Sequence, residues 1–278
     1  MDKAFSSIDL VGQCLLDGER TLKFKAAIDR SVKNGMSVID VGTGSGIMAI
    51  LAAKAGASRV FAIEFDKYVA SVARSNFESN KLDSIELVEG DARAVKLPTA
   101  TASDVVIMEM LTTGMIDEFQ VPALRHLRDE GYITETTVII PRRQQSFLTV
   151  GHANFDFFNV HMPMPLHTWK IHSPDSRFQA LGDQVIYDDY DFKSSEKESV
   201  DFKLEVEAKK SGLVNAVLLE SKTILDAVSS LEETHALNGR VILPVKPFSV
   251  KDNSKIAIKL AYTYGGGFEG LSIEVLSA

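Results

Sequence analysis

Seven consecutive residues, Asp40-Val41-Gly42-Thr43-Gly44-Ser45-Gly46, carry the strongest chemical signal in this 278-residue chain. Three alternating glycines let the backbone turn tightly and come close to a ligand. They lie between the apolar run Ser37-Val38-Ile39-Asp40-Val41 and an alanine-rich stretch from Gly46 to Ala55. A strand that turns into a helix in this way aims free N–H groups and a partial positive charge at an anionic ligand group. Glu64 ends the next apolar run, and a carboxylate at that position can accept both hydroxyls of a ribose. Gly90-Asp91-Ala92 follows a third run, where Asp91 can accept from an adenine amino group. In this order the elements point to an adenosine-bearing ligand. Asp40, Gly42, Gly44, Gly46, Glu64, Asp91 and Ala92 are its candidate contacts.

The periodicity supplies elements to position these residues. Leu15, Leu16, Leu22, Phe24, Ala27, Ile28 and Val32 recur at helical spacing between Asp9 and Lys33, and Asn34-Gly35 is a stop signal. Strands are then expected at 37–41, 59–64, 85–88, 104–108 and 136–140, with helices over 46–55, 67–80 and 119–127. Strands alternating with helices imply a parallel sheet covered on both faces. After Pro141 the helical periods fade, and segments such as 147–150, 200–207, 216–219, 240–243 and 255–262 alternate or run apolar. This half reads as mostly antiparallel β, a barrel or sandwich. The expected division is therefore 1–141 and 142–278, with 155–183 as an insertion or arm.

The glycine loop, the acid at Glu64 and the Asp91 segment resemble those of class I S-adenosyl-L-methionine (SAM)-dependent methyltransferases. That resemblance implies a Rossmann-like cofactor domain, SAM as methyl donor and S-adenosyl-L-homocysteine as product. The surroundings resemble the protein arginine methyltransferases more specifically. Cys14-Leu15-Leu16-Asp17-Gly18-Glu19-Arg20-Thr21 is similar to that family's Met-Leu-x-Asp-x-x-Arg-Thr segment, which assigns Arg20 to the SAM carboxylate. Ala52–Ala57 and Asn80-Lys81-Leu82 are similar too. Glu109 and Glu118, at the end of the fourth strand, have the spacing of the family's double-glutamate loop. Two carboxylates there can clamp a planar guanidinium in bidentate fashion and orient its reacting nitrogen. Thr234-His235 is similar to a Thr-His-Trp loop, which implies a pair between His235 and Asp17 that closes the second half onto the SAM site.

The sequence departs from the pattern at several places. Met110-Leu111-Thr112-Thr113 stands where that family has Trp-Met-Gly-Tyr, and Ala236 where it has tryptophan. Arg93 replaces an acid, and Val11 a histidine. His167-Thr168-Trp169-Lys170 holds similar letters in another order and too early, so Trp169 reads as a packing residue of the arm. These differences point to an atypical substrate, a cationic nitrogen on a protein arginine or on a small molecule. The alternatives are a small-molecule methyltransferase on the same scaffold and a SAM-binding protein without catalysis, with a dinucleotide oxidoreductase further off.

Composition bounds the remainder. The net charge is −8, and neither half is basic, which argues against nucleic acid as partner. A single cysteine, Cys14, excludes an intrachain disulfide. The sequence shows neither a signal-peptide pattern nor a long apolar run, so a cytoplasmic protein without a membrane span is expected. No metal spacing emerges; His161, His167 and His172 are the nearest approach to one. A homodimer joined through the arm is what the resemblance implies.

Overall fold

The computed structural model describes residues 7–98, 101–170 and 177–277. The expected first helix is two helices, α1 (Ile8–Leu16) and α2 (Gly18–Ser31). Asp17 makes the break. Its backbone N–H bonds to Gln13 at the end of α1, and its carboxylate caps α2 by accepting from the Arg20 N–H at 3.1 Å. α2 buries Phe24, Ala27 and Ile28 completely against the sheet, and each large side chain of that stripe contributes about 1.5–3 kcal/mol.

Five strands follow, β1 (Ser37–Val41), β2 (Arg59–Glu64), β3 (Ile85–Glu89), β4 (Val105–Met108) and β5 (Val138–Ile140). Between them lie α3 (Ile47–Lys54), α4 (Lys67–Ser79) and α5 (Gln120–Asp129). All strand pairs are parallel, in the order β3-β2-β1-β4-β5. Val38, Ile39, Val60, Ala62, Val105, Val106 and Ile107 are wholly buried, as expected for strands with helices on both faces. The order reverses between β2 and β4 about β1. A parallel sheet opens a crevice at such a point, beyond the carboxyl ends of its strands.

The second half is antiparallel. Its strands are β6 (Arg143–Ala153), β7 (Asp156–Phe157), β8 (Val160–His161), β9 (Leu166–Thr168), β10 (Phe178–Ala180), β11 (Val185–Asp191), β12 (Ser199–Glu207), β13 (Gly212–Ile224), β14 (Ser230–Leu231), β15 (Arg240–Val250), β16 (Lys255–Thr263) and β17 (Ser272–Ser277). One sheet runs β10-β6-β13-β15-β9, with β11 also on β6 and β14 on β13; a second runs β12-β16-β17. Among the described residues the two do not join into a closed ring, so the unit is barrel-like rather than a closed barrel. A continuous apolar cluster runs from Phe24 and the parallel sheet through to Tyr262 and Tyr264.

The expected arm is largely woven into the sheet. β9 pairs with β15 and β10 with β6. Within it the β7–β8 hairpin is a separate two-stranded unit, and Phe158 at its turn is 99% exposed. Residues 171–176, including His172, lie outside the described residues.

Candidate active site

A cavity of about 170 Å³ opens at the reversal point of the parallel sheet. Its wall includes Arg20, Asp40, Gly42, Gly44, Glu64, Asp91 and Ala92, together with Glu109 and Glu118. The sequence-derived ligand residues other than Gly46 thus share one space with both glutamates; Gly46 is not in the wall and instead starts the helix that follows the loop.

The glycine loop is shaped from below. Asp40 Oδ2 accepts from Thr43 Oγ1 at 2.6 Å and from the Ala49 N–H at 3.0 Å, which ties β1, the loop and α3 together. Burial pushes the Asp40 carboxyl up to about 6 in spite of those bonds. Gly46 starts α3 at φ +85°, and a Cβ there would lie 2.4 Å from the Phe77 ring. No other residue fits that turn. Glu64, 3% exposed, accepts from Gly44 N–H at 3.0 Å and from the N–H groups of Phe65 and Asp66 at 2.9 Å. Backbone donors thus fix the carboxylate beside the loop. Asp91 is held by Arg93 through Nε and Nη2, which keeps its carboxyl below the usual range despite partial burial. Arg93 in turn stacks on Phe119, with 3.9 Å from its guanidinium carbon to the ring centroid.

The acid side is built by two loops. Gln120, fully buried, donates to the Met108 carbonyl at 3.0 Å and accepts from the Met110 N–H at 3.1 Å. Its amide therefore brackets Glu109, which motif reading missed because a glutamine opening a helix carries no signature of its own. Glu109 Oε2 accepts from Arg20 Nη2, with the two side chains only 10% and 6% exposed. Arg20 Nη1 donates to the Cys14 carbonyl at 3.0 Å. Its Nε–H is buried without a partner among the described residues. An unpartnered N–H on a buried guanidinium at the wall of a ligand cavity leaves room for a further acceptor beside Glu109. Burial, with Asp117 adjoining, lifts the Glu118 carboxyl to about 8, although Arg20 pulls it down.

The loop from Met110 to Glu118 hangs between the two halves of the chain. Gln144 donates to the Thr112 carbonyl at 2.9 Å, Ser221 Oγ accepts from the Gly114 N–H at 2.9 Å, and Tyr262 donates to the Gly114 carbonyl at 2.8 Å. Thr113 Oγ1 donates to the Gly239 carbonyl. Gly265 and Gly267 N–H groups bond to the carbonyls of Met115 and Ile116 at 3.0 and 2.9 Å. Gly114 has φ +68°, and a Cβ there would meet the Tyr187 hydroxyl at 2.6 Å.

The expected Asp17–His235 pair is not formed. Asp17 Oδ2 instead accepts from Thr234 Oγ1 at 2.5 Å and from the Ala236 N–H at 2.9 Å, while His235 points to solvent. The tie between the N-terminal helices and the second half exists, but the neighbouring threonine makes it. These bonds, with the Arg20 N–H, hold the Asp17 carboxyl low against its burial. Trp169 also departs from expectation, since it lies in the cavity wall with Ala236. Pairing of β9 with β15 brings it there, a contact across 72 positions that local pattern does not reveal. Its being the chain's sole tryptophan was the only hint. Among the described residues no cluster has the makings of a metal site. No described helix is long and apolar enough to cross a membrane.

A parallel sheet that opens its ligand cavity past the central strand, with a glycine loop on one lip and an acid closing the second strand, defines a class I methyltransferase. This chain is a SAM-dependent enzyme of that class. It belongs to the family described as ribosomal protein L11 methyltransferase (PrmA), which it matches over residues 21–170. It is 32% identical to an uncharacterized protein of Methanocaldococcus jannaschii across 94% of each chain. It is 25% identical to an arginine N(omega)-methyltransferase of Streptomyces achromogenes subsp. streptozoticus, over 90% of this chain and 74% of that one. In fold it is similar to the Trypanosoma brucei PRMT1 enzyme–prozyme complex with AdoHcy, with a TM-score of 0.75 at 18% identity over 93% of this chain and 89% of the other.

Proposed function

We propose that the enzyme transfers a methyl group from SAM to a nitrogen of a guanidinium-bearing acceptor. The observation that carries this reading is the pair Glu109 and Glu118 in the wall of the cofactor cavity, with a guanidinium, that of Arg20, already seated on Glu109. A site that holds one guanidinium by a charge-assisted bond has the chemistry to hold a second. Bound SAM supplies an electrophilic methyl group. The glycine loop, Arg20 and Glu64 position it, with Asp91 and Ala92 toward the adenine. The two glutamates hold the acceptor's charge and orient its nitrogen along the line of attack. Asp17 closes the second half over the cavity through Thr234.

The name of the Streptomyces relative supports an arginine acceptor. The L11 family match ends at residue 170, short of most of the antiparallel half, so it bears less on the acceptor. We take 1–141 as the cofactor unit and 142–278 as the acceptor and assembly unit, since the parallel sheet ends at Ile140 and the antiparallel one begins at Arg143. The exposed Phe158 at the turn of its hairpin favours a homodimer, and sedimentation of wild type against Phe158→Asp tests it.

The central experiment follows methyl transfer by mass spectrometry, with free L-arginine and an arginine-containing peptide as acceptors. Glu109→Gln and Glu118→Gln should each lower kcat/KM for the acceptor at least about tenfold while S-adenosylhomocysteine still binds. Turnover of amines but not guanidines would overturn the reading.

A further inference from the structure

We infer that Trp169 is a specificity-determining residue, an aromatic wall that stacks on the planar cation held by Glu109 and Glu118. This inference rests on the guanidinium reading above.

Three aromatic rings line the cavity: Phe65, Phe119 and Trp169. Phe65 directly follows Glu64, on the cofactor side. Phe119 already carries the Arg93 guanidinium on its face. Among the described residues no cation lies over the Trp169 ring. One side of its indole is backed by the His167 ring, at 4.5 Å between centroids and 26° between planes. Burial holds the His167 imidazole below its ordinary range, so that backing stays neutral near pH 7 and repels no cation.

The ring is held where it lies. β9 fixes the preceding residues against β15. The next residue, Lys170, reaches Glu19 on α2 at 3.3 Å, so the strap spans from the sheet to the N-terminal helices. Gly239 makes the fit possible, because a Cβ there would lie 2.7 Å from Trp169 Cε3 and 2.9 Å from His167 Nε2. Its neighbour Ala236 offers only a methyl group to the cavity wall. The loop segment Met110-Leu111-Thr112-Thr113 offers no ring either. Carboxylates engage a guanidinium in its plane and leave its faces bare. An indole face is the best aromatic partner for such a face, and the interaction strengthens when water is excluded. A tetrahedral ammonium has no flat face to stack, so the wall selects guanidines over amines.

Because Trp169 is the only tryptophan, its emission reports on the cavity independently of turnover. The S-adenosylhomocysteine complex is titrated with N-acetyl-L-arginine amide, with the citrulline analogue as a neutral isostere. Saturable quenching by the arginine compound alone is expected. In methyl-transfer assays Trp169→Leu should raise KM for the arginine compound about 5- to 30-fold. Trp169→Phe should recover most of that loss, and S-adenosylhomocysteine affinity should stay within about twofold in both variants. A wild type that methylates the arginine compound while Trp169→Leu keeps the same KM would overturn the role of Trp169 alone. A wild type that methylates no guanidine and shows no emission change would overturn the acceptor reading as well.

Discussion

Capture of the acceptor should depend on pH through Glu118. Its carboxyl stands at about 8 in place of 4.5, raised by burial and by Asp117. About one enzyme in ten is then ionised there at pH 7, and about one in a hundred at pH 6. Only the carboxylate makes a full charge-assisted bond to a guanidinium. At saturating SAM, kcat/KM for the acceptor should therefore climb up to about tenfold per pH unit and level off at or below pH 8. The sulfonium charge of SAM draws the inflection down; with S-adenosylhomocysteine, a neutral thioether, acceptor binding should turn nearer 8. Glu118→Gln should cost about 10- to 150-fold on the plateau, the worth of one bond to a charged group, and should abolish the slope. Stability gives a second readout. Between about 4.5 and 8 the native state keeps a proton that the unfolded chain has released, so folding weakens as pH rises through that window. Glu118→Gln should thus melt above wild type at pH 8, by about 2–4 °C for each kcal/mol of that penalty, and match it at pH 4. A flat wild-type profile from pH 6 to 8.5, or a slope that survives in Glu118→Gln, refutes the reasoning.

Further outcomes follow from the remaining contacts. Glu64→Ala should weaken calorimetric binding of S-adenosylhomocysteine at least about tenfold, because it removes a buried acceptor and releases the Gly44 N–H. Asp17→Ala should destabilise the fold by about 2–4 kcal/mol through loss of the α2 cap and of the bonds to Thr234 and Ala236, whereas His235→Ala should move thermal stability by less than about 0.5 kcal/mol. Tyr262→Phe, which deletes the bond to the Gly114 carbonyl, should lower kcat several-fold with cofactor affinity unchanged; an unchanged kcat would count against the clamp.

The cofactor half was legible because its information is local. Each strand is an apolar run, and its chemical residue follows within a few positions, as Glu64 follows Ile63. The α1–α2 break was hidden because apolar spacing continues past Asp17, whose capping role shows only in its side-chain bonds. The partner of Asp17 lies 217 positions away, and whether Thr234 or His235 reaches it depends on the path of a loop rather than on residue type. Trp169 failed for the same reason: its place is set by an edge strand, and a lone aromatic says nothing of which neighbours it meets. Antiparallel character after Pro141 was readable from alternation, but not that β9 and β10 would be drawn from the expected arm into opposite edges of one sheet.

The loop carrying the acidic pair is suspended, at Thr112, Thr113, Gly114, Met115 and Ile116, from atoms contributed by Gln144, Gly239, Ser221, Tyr262, Gly265 and Gly267. Its conformation is therefore inherited from sequence well over a hundred positions downstream in most of these bonds. A descendant could acquire a new acceptor by drift in distant β-strands, with every motif residue of the first half intact. Sorting relatives by their glycine loops would then group them by cofactor while concealing differences in what they modify.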